Sequence, residues 1–554
     1  MSRIVSFFLA LLGLAVFCLT GEAQTNECSV AQPRSLSEEQ RALIRGELQQ
    51  AETLYRLKVA QQPKNHELTA GLVRTMLSEQ KVDEADSTVK TALATAPQSV
   101  ELLTAEAEVQ YRQGIPWDKQ KTLEAALKAD PCYPRLHLTF ARYYLFSSYH
   151  ATASREIKLA HQLDQYDPEI RWTWITNLPL KQRVEELEKY LAAGETDAVG
   201  LRHGQREVSL LQGRGDNKGT CQLTSTVSSA EIPFSTALMN RANYLRGWEI
   251  DVYVNNHKSR LEVATGSSGV YISRSVAEHA GLRPIAGLEV SGAGTQAPQG
   301  GYFAYADSVK IGNLEFKSCV VQVSDGRSGL DTDGQIGTDV FSNFLVTVDF
   351  PREKLTLGPL PPYPGMVSPT PSLTTQEAGT SDERSEGVSR KVMKDTTPAA
   401  PTDGPHDRYI APEMQKWTAV YRVGPRLIIP TTLSDQRVRL FLLDTRSQTT
   451  AISPSAAREV TKVRSTNVFG ALRDNSGPVP SYSGDKIVFR FAHLQQEKGN
   501  VLSYATSRFS KSLGTEISGF IGFDMLGVLV VKIDYRDGLM DFQYSAHQGY
   551  QHIQ

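Results

Sequence analysis

The stretch LEVATGSSGVYIS, Leu261 to Ser273, decides how this chain is read. An apolar strand runs into Ala264-Thr265-Gly266, two serines turn the chain, and Val270, Tyr271 and Ile272 lead it out again as a second strand. Downstream, GQIGTDVFSNFLVTVDF at 334–350 places Gly337 directly after Ile336, with Asp339 two residues on and Asp349 ten residues beyond that.

The same grammar returns in the last quarter of the chain. LFLLDTRSQTTAIS, Leu440 to Ser453, is another strand–turn–strand, with Asp444-Thr445-Arg446 at the turn. GFIGFDMLGVLVVKIDY at 519–535 then supplies Gly522, Asp524 and Asp534 in the order of the first copy. Each turn is followed by a helix start, at Ser273 in one copy and at Ser453-Pro454 in the other, because Ser accepts from orphan N–H groups and Pro suits a first turn.

Strand–(Asp)-Thr-Gly–strand, then an apolar residue and Gly before the closing strands, resembles the retroviral-type (retropepsin-like) aspartic proteases. The resemblance covers 245–358 and 417–545. It implies two all-β lobes, each contributing one motif turn to a shared site, with Gly337 and Gly522 as the structural glycines. SGAGTQAPQGG, Ser291 to Gly301, falls where that family carries a flap.

The motif residues depart from the family's pattern in both lobes. The chemistry needs two close carboxylates, one protonated to polarise a carbonyl and one ionised to take a proton from water. The first lobe offers Ala264, Thr265 and Gly266; the second offers Asp444, Thr445 and Arg446. An internal pair supplies a single carboxylate, Asp444. A guanidinium at Arg446 is expected beside it, holding Asp444 ionised.

Other carboxylates do not replace the missing one. Asp339 and Asp524 are expected to cap the short helices that follow, and Asp331 and Asp333 read as loop residues. Glu262 shares the strand face of Ala264 but stands about 6–7 Å along it. Ser267 and Ser268 have no identified His base. The expected function is therefore a catalytically impaired scaffold that binds peptides or proteins in the inter-lobe groove. The alternative is an active endopeptidase in which Asp444 of one molecule meets Asp444 of another, which requires a homo-oligomer.

Upstream of the lobes the texture is helical. LKVAQQP, TALATAP and EAALKADP end at Pro63, Pro97 and Pro131, at a period of 34. Small residues, Ala51, Ala85, Ala92, Ala94, Ala125 and Ala126, fall where paired helices approach. This resembles the tetratricopeptide repeat over 36–200, a solenoid whose surface takes protein partners. LKQRVEELEKYLAAG, Leu180 to Gly194, is expected to cap the array. The Arg214-Gly215-Asp216 tripeptide in the following loop reads as a chance match.

Residues 1–23 read as a signal peptide, with Arg3, an apolar run from Ile4 to Leu19 and a small-x-small site at Gly21 to Ala23. Export through the secretory pathway, to a periplasmic or extracellular destination, is the expectation, with no membrane span after cleavage. Export permits disulfides, and Cys28–Cys132 is the expected bridge, with Cys319 a buried apolar residue. The region 360–410, rich in Pro, Ser, Thr and charge, reads as a disordered linker. With 59 Lys plus Arg against 61 Asp plus Glu, no net field favours nucleic acid. Eleven scattered His without His-x-x-x-His or Cys-x-x-Cys offer no metal site, and no cofactor motif is present.

Overall fold

The structure, a computed structural model, describes residues 28–194, 196–213, 221–238, 245–290, 299–324, 333–364, 372–373, 407–466, 473–474, 477–478 and 480–545. The expected signal segment, the Arg-Gly-Asp loop, Asp331 and the tip of the expected flap lie outside the described residues.

Eleven helices open the described chain: α1 (Glu38–Ile44), α2 (Leu48–Gln61), α3 (His66–Ser78), α4 (Val82–Thr95), α5 (Val100–Arg112), α6 (Pro116–Ala129), α7 (Pro134–Phe146), α8 (His150–Leu163), α9 (Pro168–Thr176), α10 (Leu180–Ala193) and α11 (Ala198–Gly213). The helices recur at the 34-residue period, so equivalent positions can be compared. At one of them Ala51, Ala85 and Ala153 are wholly buried, where only a small side chain lets neighbouring helices close. The third repeat carries Lys119 there, 1% exposed, its ammonium 4.3 Å from the Tyr111 ring centroid. Ala94 and Ala125, expected at helix contacts, are exposed.

The array does not end in a polar cap. Beyond α10, α11 lays Leu210 against Ala286, Phe303 and Val320 of the first lobe. Farther back, the α5–α6 and α7–α8 turns grip the second lobe. Thr515 Oγ donates to the Tyr111 carbonyl (2.6 Å), Glu516 N to the Arg112 carbonyl (3.0 Å), and Phe146 stacks on Tyr421 at 4.5 Å. This explains the unbroken apolar run at Leu440–Leu443. Phe441 and Leu443 point into the lobe, while Leu440 and Leu442 meet Phe146, so both strand faces are covered.

The two lobes repeat one topology. In the first, strand His257–Ala264 runs parallel to Gly334–Gly337, which is antiparallel to Val270–Ser273. In the second, Arg437–Leu443 runs parallel to Gly519–Ile521, which is antiparallel to Ala451–Ile452. Ser273 and Ser453 accept from Val276 N and Ala456 N and start the helices that follow.

A six-stranded sheet joins the lobes. Its order is Thr418–Ala419, Leu539–Tyr544, Leu529–Asp534, Phe344–Asp349, Lys354–Pro359 and Ala230–Pro233. The central pair is antiparallel across the lobe boundary, with Val346 opposite Ile533 and Val348 opposite Val531. One apolar core runs through both lobes as a result.

Two expectations are corrected. Cys319 is not a lone apolar residue, since Gln222–Leu223 pairs with the strand Leu314–Ser324 and brings Cys221 into a disulfide with it. Cys28 and Cys132 form the other bridge. The region read as a linker also contributes packed residues. Leu373 is buried beside Cys221, whose carbonyl accepts its N–H at 3.0 Å. At its two ends, the Tyr363 hydroxyl shares its one proton between Asp537 Oδ1 (2.9 Å) and the Asp407 carbonyl (3.2 Å), and Tyr409 N donates to the same Asp537 oxygen at 3.1 Å.

Candidate functional site

The two motif turns meet at the lobe boundary, and their threonines lock them together. Thr445 N donates to Thr265 Oγ (3.0 Å) and Thr265 N to Thr445 Oγ (3.2 Å). Each hydroxyl then donates into the opposite strand, Thr265 to the Leu443 carbonyl (2.9 Å) and Thr445 to that of Val263 (3.3 Å). A hydroxyl both accepts and donates, so two threonines satisfy four backbone groups that would otherwise be buried unpaired.

This grip brings Asp444 to the first lobe's turn. A Cβ built on Gly266 would stand 3.6 Å from Asp444 Oδ1. The residue matching Asp444 in that turn is Ala264, fully buried. The site thus holds one motif carboxylate and one methyl group. Pairing Asp444 between two molecules would require the second lobe to give up both the threonine grip and the central strands of the shared sheet.

Arg446 does not lie where the sequence led us to expect it. Its guanidinium turns away to the first lobe, with Nε 3.4 Å from Glu262 Oε2, and Glu262 is 1% exposed. A buried carboxylate demands a cation, and Glu262 also stands opposite Glu249 in the ladder, which sharpens the demand. What Arg446 gives Asp444 Oδ1 is its backbone N–H, at 3.0 Å. Burial raises the Asp444 carboxyl above its ordinary value; that N–H, the Arg446 charge and the Ser447 backbone oppose the rise without reversing it.

Asp339 and Asp524 act on the turns and not as helix caps. Asp524 accepts from Thr450 N (2.9 Å) and Thr450 Oγ (2.6 Å) and has Lys498 against it. Asp339 accepts from Ser268 Oγ (3.0 Å) and Gly269 N (3.2 Å). Ser267 donates to Gln335 Oε1 (3.1 Å), so both serines are structural partners. Asp333 Oδ2 accepts from Arg260 N at 2.8 Å, a loop role. Gly337 and Gly522 are required by close approach: a Cβ would lie 2.5 Å from the Ser267 carbonyl oxygen in one lobe and 2.8 Å from that of Ser447 in the other.

Burial pushes the Asp339 carboxyl up to about 7 from its ordinary 3.8, against the pull of the Ser268 and Gly269 donors. The stability tied to its proton is complete below pH 3.8 and is lost as pH rises through 7. Asp339→Asn should flatten this decline, removing about 4 kcal/mol of pH dependence. Urea melts of both proteins from pH 4 to 8 check it; parallel curves would contradict the assignment.

Two lobes of one topology, joined by a shared sheet and meeting at paired Thr turns, define the class of the molecule: an aspartic-protease-like fold behind helical repeats. A family model for aspartyl proteases matches residues 250–340, and one for the tetratricopeptide repeat matches 42–109. The chain carries tetratricopeptide repeats and a retropepsin-like aspartyl protease domain. Among solved structures, an aspartic proteinase from Irpex lacteus is 13% identical, with 57% of this chain and 98% of that one covered and a TM-score of 0.32. A thermophilic TPR protein of Thermus thermophilus is 23% identical, covering 29% and 91%, with a TM-score of 0.25. A retropepsin-like aspartic protease from Rickettsia conorii is 22% identical, covering 24% and 94%, with a TM-score of 0.18. No curated protein matches this chain.

The sequence led to both motif turns but missed the partner of Arg446. The signal was a lone Glu262 inside the apolar run of Leu261 to Ala264, a charge that needs an opposite charge from somewhere.

Proposed function

We propose that this chain is an exported, non-cleaving member of the aspartic-protease fold that holds peptide or protein ligands between its lobes. The observation that carries this reading is Ala264 opposite Asp444. Proteolysis needs an acid and a base at the same moment, and one carboxyl cannot be both. The Glu262–Arg446 pair and the threonine grip keep the lobes together without a dyad, so the groove retains its backbone edges for an extended ligand. The helical repeats support protein binding as well, although their turns toward the second lobe are already engaged within the chain.

The test is incubation of a complex peptide mixture with the purified protein and with Asp444→Asn from pH 3 to pH 8, read by mass spectrometry. The expected result is no cleavage by either. Cleavage by the natural chain that Asp444→Asn abolishes would refute the proposal.

A further inference from the structure

Residues 28–36 run across the helical array with little to hold them. Ser29, Val30 and Gln32 to Ser35 are exposed, Val30 by 54%. Three fasteners are present. Cys28 is bridged to Cys132 in the α6–α7 turn, Ala31 N donates to the Leu163 carbonyl at the end of α8 (2.8 Å), and Arg34 makes a two-point ion pair with Asp164.

Arg34 enters an acidic mouth. Besides Asp164, the charges of Asp167 and Glu67 face it, and these two begin the polar ladder of the face formed by α3, α5, α7 and α9. Asp167 pairs with Arg135 (3.0 Å), and Glu67 pairs with Arg74 (2.7 Å) and accepts from the Tyr133 hydroxyl (2.6 Å). Within that ladder Arg74 Nη1, Arg135 Nε and Glu108 Oε2 are buried without a hydrogen-bond partner among the described residues. Residues 28–36 therefore lie across the array with their single Arg, its side chain 39% exposed, paired to the buried Asp164 at the acidic mouth.

The two disulfides differ in access. Cys221 and Cys319 are fully buried, whereas Cys28 and Cys132 are half-buried at the surface. A reductant reaches the second pair first.

We propose that residues 28–36 are a built-in pseudo-ligand latched by Cys28–Cys132, and that opening the latch frees the mouth at Asp164, Asp167 and Glu67 for an extended peptide segment carrying Arg or Lys. Opening is a thiol–disulfide exchange with a dithiol. One thiolate of the dithiol attacks a sulfur of the bridge, the second resolves the mixed disulfide, and Cys28 and Cys132 leave as two thiols. Two electrons and two protons pass to the chain, and the dithiol ends as its own disulfide. The inference does not rest on the inter-lobe reading and stands or falls apart from it.

The experiment uses the full chain oxidised, with only Cys28–Cys132 opened by graded dithiothreitol and verified by mass mapping, and as Cys28→Ser. Circular dichroism verifies that all three are folded. The first readout is carbodiimide labelling of Asp164, the carboxylate that Arg34 covers, expected to rise about fivefold or more on opening. The second is fluorescence anisotropy of a labelled peptide with the sequence of Ser29 to Leu36. It is expected to bind the opened chain about tenfold more tightly than the oxidised one, and to lose that binding when its Arg is replaced by Ala. Equal labelling in open and closed chains would overturn the latch. Raised labelling without Arg-dependent peptide binding would overturn the pseudo-ligand.

Discussion

Thr265→Val should destabilise the chain by about 2–6 kcal/mol, because two buried backbone groups lose a partner at about 1–3 kcal/mol each. Valine keeps the shape of threonine and removes only the hydroxyl. What is lost is the donor to the Leu443 carbonyl and the acceptor for Thr445 N. Thr445→Val removes the mirror-image pair, and the double variant should cost less than the sum, since each single change already breaks part of the shared grip. Urea melts of the four proteins give the coupling directly. Strictly additive costs would show that the two threonines act independently, contrary to the reciprocal geometry.

Lys119→Met should stabilise the chain by about 3–5 kcal/mol at neutral pH and do nothing near pH 10.5. Burial lowers the Lys119 ammonium to about 7 from its ordinary 10.5, with Arg142 adding repulsion and Glu108 opposing it. The unfolded chain holds this proton throughout the window from 10.5 down to 7 while the folded chain releases it. The stability available at high pH is therefore lost as pH falls through that window, and stays lost below it. Methionine keeps the length of the stem and has no proton to lose. Melts of both proteins at pH 7, 8.5 and 10 should converge as pH rises. A constant difference across that range would show that Lys119 remains charged in the fold.

The contrast between what the sequence disclosed and what it withheld follows from range. The lobes were legible because their pattern is local and occurs twice: a strand, a Thr-containing turn, a strand, then Gly337 or Gly522 where no Cβ fits. The 34-residue period disclosed the repeats in the same way. The residues that were misread all depend on something distant in the chain. Arg446 is two residues from Asp444 but answers Glu262 of the other lobe. Cys319 sits in an apolar strand, and only the pairing of Gln222 and Leu223 with that strand brings Cys221 to it. Lys119 drew no reading of its own, and its burial emerges only when the repeats are aligned and its position proves to be that of Ala51, Ala85 and Ala153. Alternation in Phe344–Asp349 and Leu529–Asp534 identifies two half-buried strands without saying that they pair with each other.

Asp537 fastens both Tyr363 and Tyr409, so the polypeptide leaves the protease fold and re-enters it at one place. Among the described residues the lobes are joined by the shared sheet and the threonine grip. A peptide bond severed between Leu373 and Asp407 would change the number of chains from one to two and leave in place the sheet pairing and the threonine grip between the described residues of the lobes. Among the described residues, continuity of the backbone between Leu373 and Asp407 and integrity of the lobe boundary are separate properties.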